Sequence, residues 1–231
     1  MAGAIVQSAY AVDDSAGNGT TIAVTLNSVA AGNLLDCSAC WEDVPGTVTC
    51  TVSDGTSYTA DAAGKVRDIP NIQASQNFFK PNSGSGNFTA TATFSSNCAY
   101  RRIRLIEVSG LATASPEDKS ARQTQTAPGT GTDAVSSSAT SATTQANDFV
   151  IGITHNNTEV DPGTGTVSAG TGFTLYTAAS HTIAAVEYKS VSATGAQTAT
   201  FTQSVNNDRN THVIAFKEAA STDTLMGMAC L

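Results

Sequence analysis

The chain has 231 residues, only 13% of them charged, and a formal net charge of −8. That balance excludes the clustered basic surface that nucleic acid requires and disfavours adhesion to anionic lipid. No run approaches the ~20 apolar residues of a membrane-spanning helix. Threonine, serine, alanine and glycine stand in for the missing charges, a composition that suits pleated strands and glycine turns and is common in secreted and virion proteins.

The first residues, Met1 to Ser8, carry neither a basic segment nor a sustained apolar one, so they do not read as a signal peptide. Ile5 to Ala11 alternates weakly and predicts a first strand, and Asp13 to Gly19 is a turn cluster. Thr21 to Leu26 alternates strictly, with Ile22, Val24 and Leu26 on one face of a half-buried strand. Leu35, Cys37, Ala39 and Trp41 share one face of the next. Val48, Cys50 and Val52 alternate with threonines, and Ser53-Asp54-Gly55 predicts a hairpin-type turn before Tyr58. Asp61 to Asn77 is the least regular stretch. Phe78 to Lys80, Phe88 to Phe94 and Ile103 to Val108 complete the first half as strands. Ala112 to Asp133, rich in Pro, Gly, Thr and Ser, reads as a linker or a long surface loop. Ser136 to Thr144 is a polar strand candidate. Phe149 to Thr154, Phe173 to Thr177, Ile183 to Lys189, Gln197 to Thr202 and Thr211 to Lys217 follow as strands. No stretch shows apolar positions at helical spacing over three turns.

The second half answers the first in order. Gly32-Asn33-Leu34-Leu35 is answered by Ala146-Asn147-Asp148-Phe149, Thr91-Ala92-Thr93-Phe94 by Thr198-Ala199-Thr200-Phe201, and Arg102 to Glu107 by His212 to Glu218. Such recurrence reads as a diverged internal duplication. The predicted fold is therefore all-β: a jelly-roll-like β-sandwich over residues 1–220, built from repeat one (1–110) and repeat two (111–220), with 221–231 as a C-terminal tail. Two tandem β-sandwich domains are the alternative. The single-sandwich reading expects Phe149 and Ile151 in the same interior as Leu35 and Cys37, because Ser136 to Thr144 is too polar to close a second core.

Side chains that could carry chemistry are few. Cys37 and Cys40 have zinc-ribbon spacing, and Cys50 or Cys98 could complete a site or a disulfide. Residues three apart on a strand point to opposite faces, so the plainer reading is buried small hydrophobes, with Cys230 on the tail left over. His155, His181 and His212 lie in no metal-binding spacing, and no G-x-S-x-G elbow is present. Glu107 and Glu218 sit at matching ends of the two copies; a carboxylate pair could serve glycoside hydrolysis, but matching positions imply matching structural roles. Asp13 to Gly19 offers oxygen ligands without the alternation of an EF-hand. Arg101-Arg102-Ile103-Arg104 reads as the solvated side of a strand. Asn18, Asn87 and Asn156 begin N-x-[ST] sequons. Trp41, Tyr58, Tyr100, Tyr176 and Tyr188 are the aromatics a sugar platform would use. No catalytic, cofactor-binding or metal-ligating residue is assigned.

Taken together, Gly32 to Leu35, Trp41-Glu42, Val52 to Gly55, Thr91 to Phe94, Glu107 to Leu111 and Glu187 to Gly195 resemble the β-sandwich modules of bacterial secreted surface proteins and of phage virion structural proteins, such as capsid decoration or cement proteins. The resemblance covers all but the tail and carries no catalytic residue across. It implies a non-enzymatic structural protein on a virion or extracellular surface, partnered by capsid or other assembly subunits in a homo-oligomer or symmetric assembly. A carbohydrate-binding module, with a glycan as partner, is the alternative.

Overall fold

In the computed structural model, residues 2–13, 17, 19–68, 72–126, 133–156, 166–176, 184–204 and 209–220 are described. They are all-β, with antiparallel sheets stacked as sandwiches. The first half contributes β1 (Ala4–Asp13), β2 (Gly19–Val29), β3 (Leu34–Glu42), β4 (Cys50–Ser53), β5 (Thr59–Ala60), β6 (Val66–Arg67), β7 (Gln73–Lys80), β8 (Gly86–Cys98) and β9 (Arg101–Ser109). The second half contributes β10 (Glu117–Gln125), β11 (Asp133–Ser136), β12 (Asn147–Asn156), β13 (Val167–Ala169), β14 (Thr174–Leu175), β15 (Ala184–Ser192), β16 (Thr200–Gln203) and β17 (Arg209–Lys217).

Four sheets result. Sheet I has the order β1-β9-β3-β7-β5 with β6 also on β7, and sheet II is β2-β8-β4. Sheet III is β10-β17-β12-β15-β14, and sheet IV is β11-β16-β13. No strand pairing between these named strands crosses from one half to the other. The strand order of sheets III and IV repeats that of sheets I and II, strand for strand apart from β6.

Each large sheet is apolar on both faces, which is why three cores form rather than one. Between sheets I and II, Leu35, Cys37, Ala39 and Trp41 of β3 meet Val24, Leu26, Val52, Ala92 and Phe94, with the Trp41 and Phe94 rings 5.3 Å apart. Between sheets III and IV, Val150, Val213 and Ala215 meet Val135, Ala199 and Phe201. The third core joins the halves: Leu34, Phe79, Ile106 and Val108 of sheet I pack on Phe149, Ile151, Ile153, Val186, Ile214 and Phe216 of sheet III. Phe79 and Phe216 meet edge-on at 5.5 Å. The layers therefore stack II–I–III–IV. Full burial of each such side chain contributes on the order of 1.5–3 kcal/mol.

This arrangement corrects the expected shared interior. Phe149 and Ile151 pack with Leu34, not with Leu35 and Cys37, which point the other way towards sheet II. Aligning Asn33 with Asn147 is thus one residue out of step with the faces, and in a strand one residue exchanges the two faces. The bridge is corrected as well. Its middle is β10, paired with β17 along sheet III, and Ala112 donates its N–H to the Lys217 carbonyl at 2.9 Å; residues 127–132 lie outside the described residues. The polar candidate at Ser136 to Thr144 is a strand only at its start. Beyond it, Ser137, Thr140 and Thr143 donate backbone N–H groups to Ala199, Gln197 and Gly195, a looser ladder.

Two close approaches fix the layers. A Cβ on Gly3 would lie 2.7 Å from the Phe149 side chain, so only glycine lets the N-terminal segment cross the end of the central core. Gly152 is as tight: a Cβ there would come within 2.5 Å of Ala199 Cβ across sheets III and IV.

Candidate functional site

The central core is apolar at one end and polar at the other. Strand alternation places Ser38 of β3, Arg102 and Arg104 of β9, and Ser75 and Asn77 of β7 on the face of sheet I that looks at sheet III. It places His155 of β12 and His212 and Asn210 of β17 opposite them. All eight are buried. Ser38 Oγ lies 2.5 Å from His155 Nε2, and Ser75 Oγ lies 2.8 Å from His212 Nε2. Asn210 donates its side-chain amide to the Gln73 carbonyl at 3.1 Å, and the two imidazoles sit edge-to-face with centroids 6.4 Å apart. This cluster is the candidate site.

Its electrostatics follow from enclosure. Burial holds His155 well below the ordinary histidine range, and the neighbouring His212, Arg102 and Arg104 push the same way. Burial, with the Arg122 charge, pushes His212 down to about 3. Both rings are therefore neutral at physiological pH. Arg104 is itself pushed down to about 10 by burial, and its guanidinium lies 5.7 Å from the Tyr10 ring centroid. A narrow crevice beside β1, lined by Tyr10, Val12, Arg104, His155 and Ala184 among others, leads towards His155 from the sheet edge.

Each pair sets a hydroxyl and an imidazole within the reach that nucleophile activation needs. In both pairs the serine and the histidine are at most 1% exposed. Nδ1 of each histidine has no hydrogen-bond partner among the described residues, so the orienting third group of a triad is missing. What the pairs do in this arrangement is join sheet I to sheet III through buried hydrogen bonds. The sequence reading missed them because partners more than a hundred residues apart carry no spacing signal.

A second buried group lies where the polar and apolar ends meet. Asp36 of β3 is fully buried, and neither carboxyl oxygen has a hydrogen-bond partner among the described residues. Burial, then the charges of Asp61 and Glu117, push it up to about 8. Asp61 is pushed up to about 7, chiefly by burial. Asp36 is thus held mainly as the neutral acid at pH 7.

The remaining candidates fall as follows. Cys37, Cys40, Cys50 and Cys98 are buried free thiols; Cys37, Cys50 and Cys98 belong to the core between sheets I and II, as the small-hydrophobe reading expects. No group of three or more potential metal ligands occurs among the described residues. Glu107 and Glu218 do not match. Glu107 is buried towards sheet II and accepts from Ala30 N, Asn33 Nδ2 and Gln7 Nε2, whereas Glu218 lies beyond β17 and accepts from Gly3 N and Ser190 Oγ. The carboxylate that bridges to the small sheet in the second half is Glu187, which accepts from Gly170 N and Thr200 N and is pushed up to about 7 by burial.

The arginine cluster is also corrected. Arg101, Arg102 and Arg104 are buried rather than solvated, with Arg101 ion-paired to Asp13. Trp41 and Tyr58 are buried, and Tyr176 and Tyr188 pack against the central core, so these four form no exposed platform. Tyr100 is half-buried in a left-handed turn. Asn87 is exposed, its Oδ1 accepting from Ser28 N. Asn18, His181 and Cys230 lie outside the described residues, as do residues 14–16 of the acidic turn and the side chain of Asn156. No helix among the described residues is long and apolar enough to cross a membrane.

No family model, curated protein or solved structure matches the chain.

Proposed function

We propose that the chain is a non-enzymatic structural protein of a virion or extracellular surface assembly, of the capsid decoration or cement type, with capsid or other assembly subunits as partners. The observation that carries this reading is where the reactive groups lie. The described thiols, the Ser–His pairs, Asp36, Glu107 and the arginine cluster are buried inside interlayer cores, where the Ser–His pairs and Glu107 tie sheets together. The exposed faces of the outer strands are threonine- and serine-rich, as in β2 and β8. Such a body supports a role in which rigidity and surface contacts matter rather than turnover. We further infer that the two halves arose by duplication, an inference supported by the repeated strand order of the two sheet pairs.

The test is electron microscopy of native particles and surface layers, with an antibody against the folded chain. The expected result is regular labelling at symmetry-related positions. Its absence from every such assembly, with the protein recovered only free, would defeat the reading. The glycan-binding alternative lacks its support, because Trp41 and Tyr58 are buried; a glycan array with specific hits would restore it.

A further inference from the structure

An edge strand presents backbone N–H and C=O groups with no partner in its own sheet, so proteins blunt their edges or use them. Most outer edges here are blunted. β5 and β14 are two residues long, β13 three, and β4 and β11 four. β2 is long but its pairing shifts register near both ends, and it exposes Thr21, Thr25 and Asn27. β10 carries Glu117, Asp118, Lys119 and Arg122, and hydrogen bonds from the Ala62 and Ala63 N–H groups tie a loop of the first half to Glu117 and Ser120.

The strand in the place of β10 in sheet I is β1, and from Gln7 to Val12 it has none of these devices. It is ten residues long, pairs among the described strands with β9 alone, and carries no charge before Asp13. It exposes Val6, Tyr10 and Val12 by 51%, 39% and 41%. From Gln7 to Asp13 its register with β9 is unbroken, the one shift falling between Ile5 and Gln7.

We propose that this edge pairs with the same edge of a second copy. Gln7–Asp13 of one molecule runs antiparallel to Gln7–Asp13 of the other about a two-fold axis at Tyr10, so that sheet I continues across the dimer. The proposal rests on the assembly reading for its purpose, but its chemistry stands separately. Two chains of charge −8 repel, so their contact needs an uncharged strip, and β1 is one. The only charged residue in the run, Asp13, is ion-paired with Arg101. In the antiparallel arrangement the two Asp13 residues stand about 20 Å apart, six residues at ~3.4 Å each, well beyond the ~8 Å screening length. Tyr10 faces Tyr10, Val12 faces Ser8 and Ala9 faces Ala11, pairs of the kind that stabilise a sheet. A head-to-tail contact would need a second long, unguarded apolar edge, and the other described edges do not offer one. The self-complementary two-fold contact is the one that closes.

The experiment is sedimentation equilibrium on the full chain, with Val12→Lys and, as control, Val44→Lys at an exposed site elsewhere. The expected wild-type mass is that of a dimer or a multiple of it, retained in V44K and reduced by half or more in V12K, with circular dichroism unchanged. Tyr10→Cys in a Cys230→Ser background should form a covalent dimer on mild oxidation. A monomeric wild type, an undiminished mass in V12K, or a dimer in which Y10C does not cross-link would overturn the proposal. A monomer that dimerises only after removal of residues 221–231 would assign the edge to the chain's own tail and overturn it too. Failure of the assembly reading looks different: the V12K-sensitive dimer would persist in a protein missing from native particles.

Discussion

Ser38 Oγ and His155 Nε2 lie 2.5 Å apart although 117 residues separate them in the chain, and both side chains are buried between sheets I and III. A hydrogen bond of this kind has no water to replace it if one partner is lost. Ser38→Ala leaves the imidazole nitrogen unsatisfied and is expected to cost about 1–3 kcal/mol. Urea unfolding followed by circular dichroism measures it. A change within ~0.5 kcal/mol, the ordinary range for surface substitutions, would show that the pair does not hold the layers.

Asp36 gives a prediction with an unusual sign. Its carboxyl is pushed up to about 8 in the folded chain, against ~3.9 for an unfolded aspartate. Between those values the native state holds a proton that the unfolded state has lost, so stability falls as pH rises, by up to about 1.4 kcal/mol per pH unit for one such group. Below about pH 6.5 the buried histidines work in the opposite sense, because the unfolded chain binds protons that native His155 and His212 refuse. The window clear of the histidines is pH 6.5–8, where Asp61 and Glu187, each pushed up to about 7, add to the fall with the same sign in both proteins. There wild-type Tm should fall with rising pH, and Asp36→Asn should fall less steeply and melt above wild type at pH 8. Parallel slopes for the two proteins would refute the assignment.

The thiols offer a check on enclosure. Cys37, Cys40, Cys50 and Cys98 are buried, and burial pushes the Cys98 thiol up to about 11. A thiol held protonated and out of contact is a poor nucleophile. In Cys230→Ser protein, an aromatic disulfide reagent should label no cysteine in the native state and four after denaturation. Rapid labelling of the folded protein would mean that the core between sheets I and II opens readily.

How far the sequence could be read follows from the faces of individual strands. The alternation of Val24 and Leu26, and of Leu35, Cys37, Ala39 and Trp41, identified the strands and the core between sheets I and II, because those faces are apolar throughout. The opposite face of β3 carries Asp36 and Ser38, and that of β9 carries Arg102 and Arg104. Polar residues at period two are the pattern of a solvated face. Here that face is covered by the other half of the chain, whose matching positions include His155, Asn210 and His212. A polar patch paired with another polar patch leaves no hydrophobic mark, so the polar end of the central core, with its Ser–His pairs, was out of reach, although Leu34, Ile106, Phe149 and Ile151 mark its apolar end. Residues Glu117 to Gln125 were missed for a related reason: an edge strand guarded by charges looks like a loop.

The central claim is that the two halves are completed by each other, through the core between sheets I and III. Residues 1–110 expressed alone would bare Leu34, Phe79, Ile106 and Val108 together with Asp36, Ser38, Arg102 and Arg104. Exposed apolar surface of that extent marks a missing partner. The decisive measurement is calorimetry of that fragment beside the full chain. The account predicts one cooperative transition for the full chain and, for the fragment, aggregation or no cooperative transition. A soluble, monomeric fragment melting cooperatively near the full chain's Tm would contradict it, and would make residues 112–133 the connection between two independent sandwiches.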